Sequence, residues 1–527
     1  MNAEPSRNPR GPEEHKAAVR ELGLRNVREL LALAPDNDPF YKGTAAHLRA
    51  AEWFADLWQR FGYTRGIHLR RAHYQVLSTG SLTSHGLPYE NTETCWTGLC
   101  NAAASARILG LVDAEAFVDR RNPDPVINRQ PRSEPVEPSW SWGWERWRPD
   151  WSLPTIGTLW MPTIDRWKLQ AFDPWSVQWD DRPTVPTRPD GLVAGYDYDD
   201  DDQPVLLEVW VEKSTMEDIL GPLCRGLNVN LVTGVGNQSI TAAVSLLRRA
   251  ERHDKPAHVL YVSDFDPAGE HMPTAVARQA QFWRDQLKVE VPITLDPLVL
   301  TRDQVAEYRL PRVPIKETDK RAAGFEARNG TGAVELDALE ALHPGVLARL
   351  VRRAAEPYTD RSLRSALHRA ERAARDAVDT QWEDGTAAVC TNLDDLAAEV
   401  DTIRERYQDE LDLLASELVD VQEPFRERLD GLGAELREAQ APIRERVEAL
   451  AAELLADLAP YQDRLDGLAE RARRLVDDFD PELPERPEPA EPDVDREALL
   501  YDSGRGWRDQ LAAYRRAKTH APPDGAP

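Results

Sequence analysis

Leu260-Tyr-Val-Ser-Asp-Phe-Asp-Pro-Ala-Gly269 is an apolar strand that runs straight into two carboxylates. Strand side chains alternate between faces, so a spacing of two turns Asp264 and Asp266 the same way. Pro267 and Gly269 then supply a turn into a following helix. Upstream, Leu207-Glu-Val-Trp-Val-Glu-Lys-Ser214 reads as a second strand that ends on Glu212 and Lys213. Between the two lies Thr233-Gly-Val-Gly-Asn-Gln-Ser239, a glycine turn before a helix, whose amides can receive a phosphate. Strand-like runs at 205–211, 229–233 and 259–263 alternate with helical stretches at 240–249 and after Pro273. This alternation predicts a parallel sheet with crossover helices. Ligands bind at the carboxyl edge of such sheets, where all three acids fall.

Close carboxylates repel each other and favour a hard divalent cation between them. Magnesium typically takes one or two carboxylates, with water and substrate phosphate completing its shell. Glu212, Asp264 and Asp266 are therefore the expected Mg2+ ligands. Glu212 is also placed to exchange a proton with a ribose oxygen. A lone Asp-x-Asp is usually a solvated turn. Here the strand before it, the Pro-x-Gly after it and the Glu-Lys strand end upstream set it apart.

Outward from this segment the chain changes character several times. Residues 15–125 read as mostly helical, and they include His68-Leu-Arg-Arg-Ala-His-Tyr74, a small cationic cluster ending in a tyrosine. Residues 130–190 are Pro-rich, with Trp140, Trp142, Trp144, Trp147 and Trp151 close together. Packing under a long loop is the simpler reading of these indoles, and base stacking the sharper one. Tyr196-Asp-Tyr-Asp-Asp-Asp-Asp202 reads as a solvated turn before a strand. Residues 300–380 read as mixed loops and helices.

Beyond about residue 390 one apolar stripe runs through Tyr407, Leu411, Leu414, Leu418, Val421, Phe425, Leu429, Leu432 and Leu436, and continues at Ile443, Val447, Leu450 and Leu454. Its steps alternate between four and three, and Pro424, Pro442 and Pro460 repeat at the same 18-residue period. Eighteen residues over five turns is the pitch of a straight helix rather than of a left-handed supercoil. The prolines share a face, and each can also begin a separate helix. Pairing with another stripe, in cis or in a second subunit, is the expected role. An acidic, Pro-rich stretch at 480–493 reads as a disordered linker, and 496–517 as a last helix.

Bulk properties bound the answer. A chain of 527 residues predicts two to four domains, and 41% apolar content is enough for globular folding. No apolar run is long enough to span a bilayer, and the N-terminus does not resemble a signal peptide. Cys95, Cys100, Cys224 and Cys390 fit neither a zinc spacing nor a disulfide frame, so a reducing cytoplasm is expected. The net charge of −26 argues against coating nucleic acid by bulk charge. Most of it, however, lies between Thr391 and Leu500, where 32 Asp/Glu face 13 Lys/Arg.

At the strand-end Glu212 and the Asp264-Phe-Asp-Pro-Ala-Gly269 turn, the chain resembles the Toprim domain. The resemblance is closest to the A subunit of type IIB topoisomerases and to the meiotic double-strand-break transesterase, and it covers roughly residues 20–345. Glu-Val-Trp-Val-Glu-Lys segments are also similar to those of uncharacterised bacterial and phage proteins. In topoisomerase A subunits a winged-helix domain precedes Toprim and carries an Arg-x-x-x-Tyr motif. Arg70-Arg-Ala-His-Tyr74 matches that spacing. The resemblance thus implies Tyr74 as a nucleophile attacking a DNA phosphate and Arg70 as its phosphate partner, with Arg71 and His73 available to stabilise phenolate character. It further implies a homodimer in which the tyrosine of one subunit faces the metal of the other. Two departures stand out. His73 occupies a position that is usually aromatic in the family. The chain also has no Gly-x-x-x-x-Gly-Lys-Ser/Thr loop and no segment resembling a topoisomerase ATPase, so strand passage calls for a separate ATPase subunit.

The expected architecture is α/β plus all-α. A winged-helix-like domain spans 15–128, a Pro/Trp-rich insertion 129–203 and a Toprim domain with a parallel sheet 204–345. Connecting helices span 346–386, a long coiled-coil-like helical region 387–479 and a linker with a terminal helix 480–527. The expected function is a magnesium-dependent, DNA-cleaving transesterase. A Toprim nuclease using water and a non-catalytic DNA-binding or scaffolding protein are the alternatives, and the sequence does not separate DNA from RNA.

Overall fold

The computed structural model describes residues 7–519 apart from 120–121, 135, 143–146, 166–167, 189–190, 237, 427 and 429–430. Trp144, Asn237 and Leu429, all part of the patterns above, lie outside the described residues. The chain divides into two units. The first comprises 1–134, 198–363 and 488–527; the second comprises 135–197 and 364–487.

After a helix over Gly11–Glu21, the first unit places three helices together: α1 (Ala45–Arg60), α2 (Leu69–Ser78) and α3 (Glu93–Ile108). Their apolar faces meet through Phe54, Leu57, Val76, Leu99 and Ala103. Thr44 and Thr92 cap α1 and α3, accepting from the amides three residues on. Between α2 and α3 the chain turns back through one antiparallel bridge, Leu82 to Pro88, rather than through a strand pair.

The central sheet holds β1 (Leu206–Val211), β2 (Asn230–Thr233), β3 (Ala257–Val262), β4 (Ile293–Val299) and β5 (Tyr501–Asp502). The strand order is β5-β4-β3-β1-β2. The first four strands are parallel, and β5 is antiparallel to β4. Three of these strands are predicted by apolar pattern. The other two are not: β4 carries Asp296 and Pro297, and β5 is two residues long. On one face pack α5 (Ile240–His253) and α6 (Met272–Leu287), burying Trp210, Tyr261 and Trp283. On the other pack α4 (Glu217–Leu227), α7 (Leu336–Leu342) and α8 (Val346–Ala355), burying Val209, Val211, Val262 and Leu347. Alternation along β1 sends even-numbered side chains to the first face and odd-numbered ones to the second.

One even position is charged. Glu208 is fully buried, and its two oxygens accept from Arg249 of α5 at 2.6 and 2.7 Å, from Trp210 Nε1 at 2.9 Å and from Asn230 at 3.2 Å. A buried carboxylate survives only when it is paired and hydrogen-bonded in this way. The acidic run before β1 is likewise no solvated turn, contrary to the sequence expectation. Asp201 and Asp202 are buried, pairing with His253 at 2.6 Å and Arg132 at 3.0 Å. Those partners come from distant segments and are invisible to local pattern.

In the second unit, α9 (Leu363–Arg426, placed here from Arg364) and α10 (Gly433–Asp478) form an antiparallel hairpin. The ion pairs Glu399–Arg464, Arg406–Asp457 and Glu417–Arg446 are each symmetric about Gly431–Leu432, which fixes one register along the hairpin. Leu411, Leu414 and Leu418 pack with Ile443, Val447, Leu450 and Leu454 in one core. Of the two partners expected for the stripe, the one in cis is found: it is covered by its own chain. Nor does each proline start a helix: Pro424, Pro442 and Pro460 all lie inside α9 or α10. All three are exposed, so water can satisfy the carbonyls that they strand. Trp175 is buried against the hairpin, with Trp147, Trp151 and Trp179 packed around it. These four indoles of the insertion thus serve packing, whereas Trp160 is exposed. Residues 480–493 lack regular structure but are held, with Tyr196 Oη bonded to the Pro484 carbonyl and Arg486 Nε donating to Gly195 at 2.8 Å. The last helix, α11 (Trp507–Thr519), belongs to the first unit and buries Leu511 and Tyr514 in its core. No helix among the described residues is long and apolar enough to cross a membrane.

Glu208→Ala leaves Arg249 as a buried, uncompensated charge, which costs about 3–5 kcal/mol. The expected result is lost hydrogen-exchange protection at β1 and α5 amides and a lower urea midpoint. Protection equal to wild type contradicts the clamp assigned to this pair.

Candidate metal centre

Val211 of β1 and Val262 of β3 are register partners, and the ladder continues one step further. Glu212 N donates to the Val262 carbonyl at 2.9 Å. Glu212 Oε2 in turn accepts from Asp264 N at 3.2 Å, so the side chain at one strand end holds the backbone at the other. β2 lies on one side of β1 and β3 on the other. The winding direction therefore reverses between β1 and β3, which is the switch point where open α/β sheets bind ligands.

The turn after β3 explains its own sequence. Asp266 Oδ1 accepts from Ala268 N at 2.8 Å and Gly269 N at 2.6 Å. Ser263 Oγ donates to the Gly269 carbonyl at 3.1 Å. A Cβ on Gly269 would run into the Asp264 carbonyl, so only glycine fits this close approach. Asp264 is held from both sides. Its Oδ1 accepts from Leu336 N at 2.7 Å and its Oδ2 pairs with Lys213 Nζ at 2.9 Å. Lys213 also pairs with Asp337 at 3.0 Å and with Glu335. These two acids had no sequence signal, since they lie over 120 residues from Lys213 in an unremarkable helix start.

Burial sets the electrostatics. Glu212 is 8% exposed. Desolvation, reinforced by repulsion from Asp264 and Asp266, pushes its carboxyl up to about 7 against the pull of the Asp264 amide and Lys213. Asp264 rises to about 6, again through burial, partly offset by the Leu336 amide and Lys213. Burial alone would lower the Lys213 ammonium, but its hydrogen bonds to Glu335, Asp264 and Asp337 raise it.

Glu212, Asp264 and Asp266 are thus brought to one edge of the sheet. Among the described residues, however, no three Asp, Glu, His or Cys side chains form a ready-made metal cage. The donor chemistry still fits magnesium, which needs only one or two hard carboxylates beside water and phosphate. Glu212 Oε1 and Asp266 Oδ2 carry no hydrogen bond among the described residues and are the free donors. Part of the glycine turn is not free to receive a phosphate. Its Gly234, Val235 and Gly236 amides already donate to Val211, Asn122 and Glu212.

Tyr74 and Arg70 are not brought to this edge by any contact. Tyr74 is 57% exposed on α2, and Arg70, one turn earlier, lies over the Trp96 ring at 5.9 Å. Among the described residues no hydrogen bond, ion pair or ring contact joins either to the three acids. His73, expected to help stabilise a phenolate, instead faces inward and bonds Tyr89 Oη at 2.7 Å and Asn91 Oδ1 at 3.3 Å. It is a core residue of the three-helix layer.

A scan against protein-family models gives no match, and neither does a search of curated proteins.

One pH dependence follows. Glu212 moves from its ordinary 4.5 up to about 7 on folding, so the folded state binds more protons across that window. Stability therefore falls as pH rises from 4.5 to 7, by on the order of 2 kcal/mol from this group. In divalent-free buffer, Glu212→Gln should flatten that part of the unfolding profile. A wild-type slope that survives the substitution assigns the effect to other groups.

Proposed function

We propose that this chain cleaves DNA strands by a magnesium-dependent transesterification like that of a type IIB topoisomerase A subunit. The supporting observation is the meeting of Glu212, Asp264 and Asp266 at the carboxyl ends of two adjacent parallel strands, at the switch point of the sheet. Glu212, Asp264 and Asp266 would hold magnesium, which would supply charge stabilisation for the phosphate and the leaving ribose oxygen. Glu212 donates the proton that the ribose oxygen needs as it departs, a role suited to a carboxyl titrating near neutrality. Tyr74, exposed on α2, loses its phenolic proton to solvent, and its oxygen forms the new bond to phosphorus while the bond from phosphorus to the ribose oxygen breaks. Arg70, on the same face of α2, binds a phosphate oxygen. This reading calls for a homodimer in which Tyr74 of one copy reaches the carboxylates of another, and for a separate ATPase subunit if strands are passed.

A second reading needs no approach of Tyr74 to the carboxylates in either copy. Tyr74 has no link to the carboxylates among the described residues. In a nuclease, water takes the place of the phenol and Glu212 serves as its base.

Supercoiled plasmid incubated with the full chain and magnesium tests both readings. Under the first, wild type nicks or linearises DNA and leaves protein covalently attached, while Tyr74→Phe loses cleavage by about 1,000-fold or more. Under the second, Tyr74→Phe cleaves normally and no adduct forms. Under either, EDTA and the pair Asp264→Asn, Asp266→Asn abolish cleavage. Metal-independent cleavage removes both readings, whereas no cleavage of DNA or RNA by wild type leaves a non-catalytic DNA-binding or scaffolding role.

A further inference from the structure

The carboxylate site already contains a cation, and it belongs to the chain. Lys213 Nζ lies 2.9 Å from Asp264 Oδ2 and 3.0 Å from Asp337 Oδ2, and it is bonded to Glu335 as well. The Lys213 side chain is 24% exposed, whereas Glu335 and Asp337 are each about half exposed. The other oxygen of Asp264 is committed to Leu336 N at 2.7 Å. Leu336 stands between Glu335 and Asp337, so the turn that fixes Asp264 also presents two further acids to Lys213. Glu212 and Asp266 each keep one oxygen free of hydrogen bonds among the described residues. Of the three acids, only Asp264 has both oxygens taken, and one of them is taken by an ammonium.

We propose that Lys213 is a tethered counter-ion. It occupies the ligand position on Asp264 Oδ2 and yields it to a divalent ion by withdrawing onto Glu335 and Asp337. This inference rests on the metal-binding reading above. Its physical basis is that an ammonium and a divalent ion at contact distance on one carboxylate oxygen repel each other strongly in a half-buried site, so each weakens the binding of the other. The backbone of Lys213 is held by its bridge to Val235, so the flexible four-carbon stem is the part that moves. The two half-exposed acids keep the displaced charge paired without burying it further. The arrangement balances charge at the edge of the sheet without a metal, and it makes metal affinity the outcome of a competition. Lys213, Glu335 and Asp337 are positioning residues in this scheme.

Manganese(II) alone, added to the full chain and followed by the EPR signal of the free ion, is the probe. Lys213→Gln should bind manganese about tenfold more tightly than wild type, the size expected for removing one cation from such a site. Glu335→Gln with Asp337→Asn should bind about tenfold more weakly, because Lys213 then has Asp264 as its sole partner. In the Lys213→Gln background the same two substitutions should change affinity by less than about twofold, the mark of coupling through the lysine. Equal affinity of wild type and Lys213→Gln overturns the proposal. So does an undiminished effect of the two acids without the lysine, which means that they act on the ion directly. If wild type and Lys213→Gln both fail to bind manganese, the metal-binding reading itself falls. Lys213→Met, checked by its thermal unfolding, replaces Lys213→Gln if the latter does not fold.

Discussion

Parallel pairing of β1 with β3 is the constraint on which the rest depends. The two strands are far apart in sequence, yet their register sets Val211 against Val262 and carries one hydrogen bond further, from Glu212 to the Val262 carbonyl. That last step brings Glu212 onto the backbone of Asp264. A slip of one residue would send Glu212 to the opposite face of the sheet and leave the Asp-x-Asp turn without its third acid. The alternating apolar side chains of β1 make such a slip costly, because both faces of the strand are buried.

The same strand shows how environment separates chemically identical groups. Glu208 and Glu212 are four residues apart and lean to the same face. Glu208 meets Arg249, Trp210 and Asn230 and is held below the ordinary carboxylate range by the arginine, although burial opposes this. Glu212 lies past the strand end among other acids and is pushed up instead. One carboxylate clamps a helix to the sheet, and the other stands past the strand end with its proton held more tightly. Strongly opposed shifts in neighbouring acids are a mark of functional sites.

The helical hairpin obeys a different logic. Its stripe has the period of a straight helix, and its partner stripe comes from the same chain after the turn at Gly431. Register is fixed by three ion pairs that are individually weak at an exposed surface but share one geometry. The insertion rich in tryptophan adds apolar area to this core, which helps to explain why a long two-helix arm can be stable.

Much of the fold was legible in the sequence. Apolar runs ending in acids located β1, β3 and the turn at Gly269, and the period of the stripe located the long helices. These signals are local, because backbone alternation and helical pitch act over a few residues. Other features were decided only by the tertiary structure. Glu335 and Asp337 reach Lys213, Arg132 and His253 neutralise the acidic run, and Tyr501 returns to extend the sheet, because folding brings distant segments within hydrogen-bond range. His73 turned inward because the three-helix core needed that face. The sequence by itself determined which carboxylates end the strands. The tertiary structure decided which of them are paired, which are free and which already hold a cation, since charge is balanced through space and not along the chain.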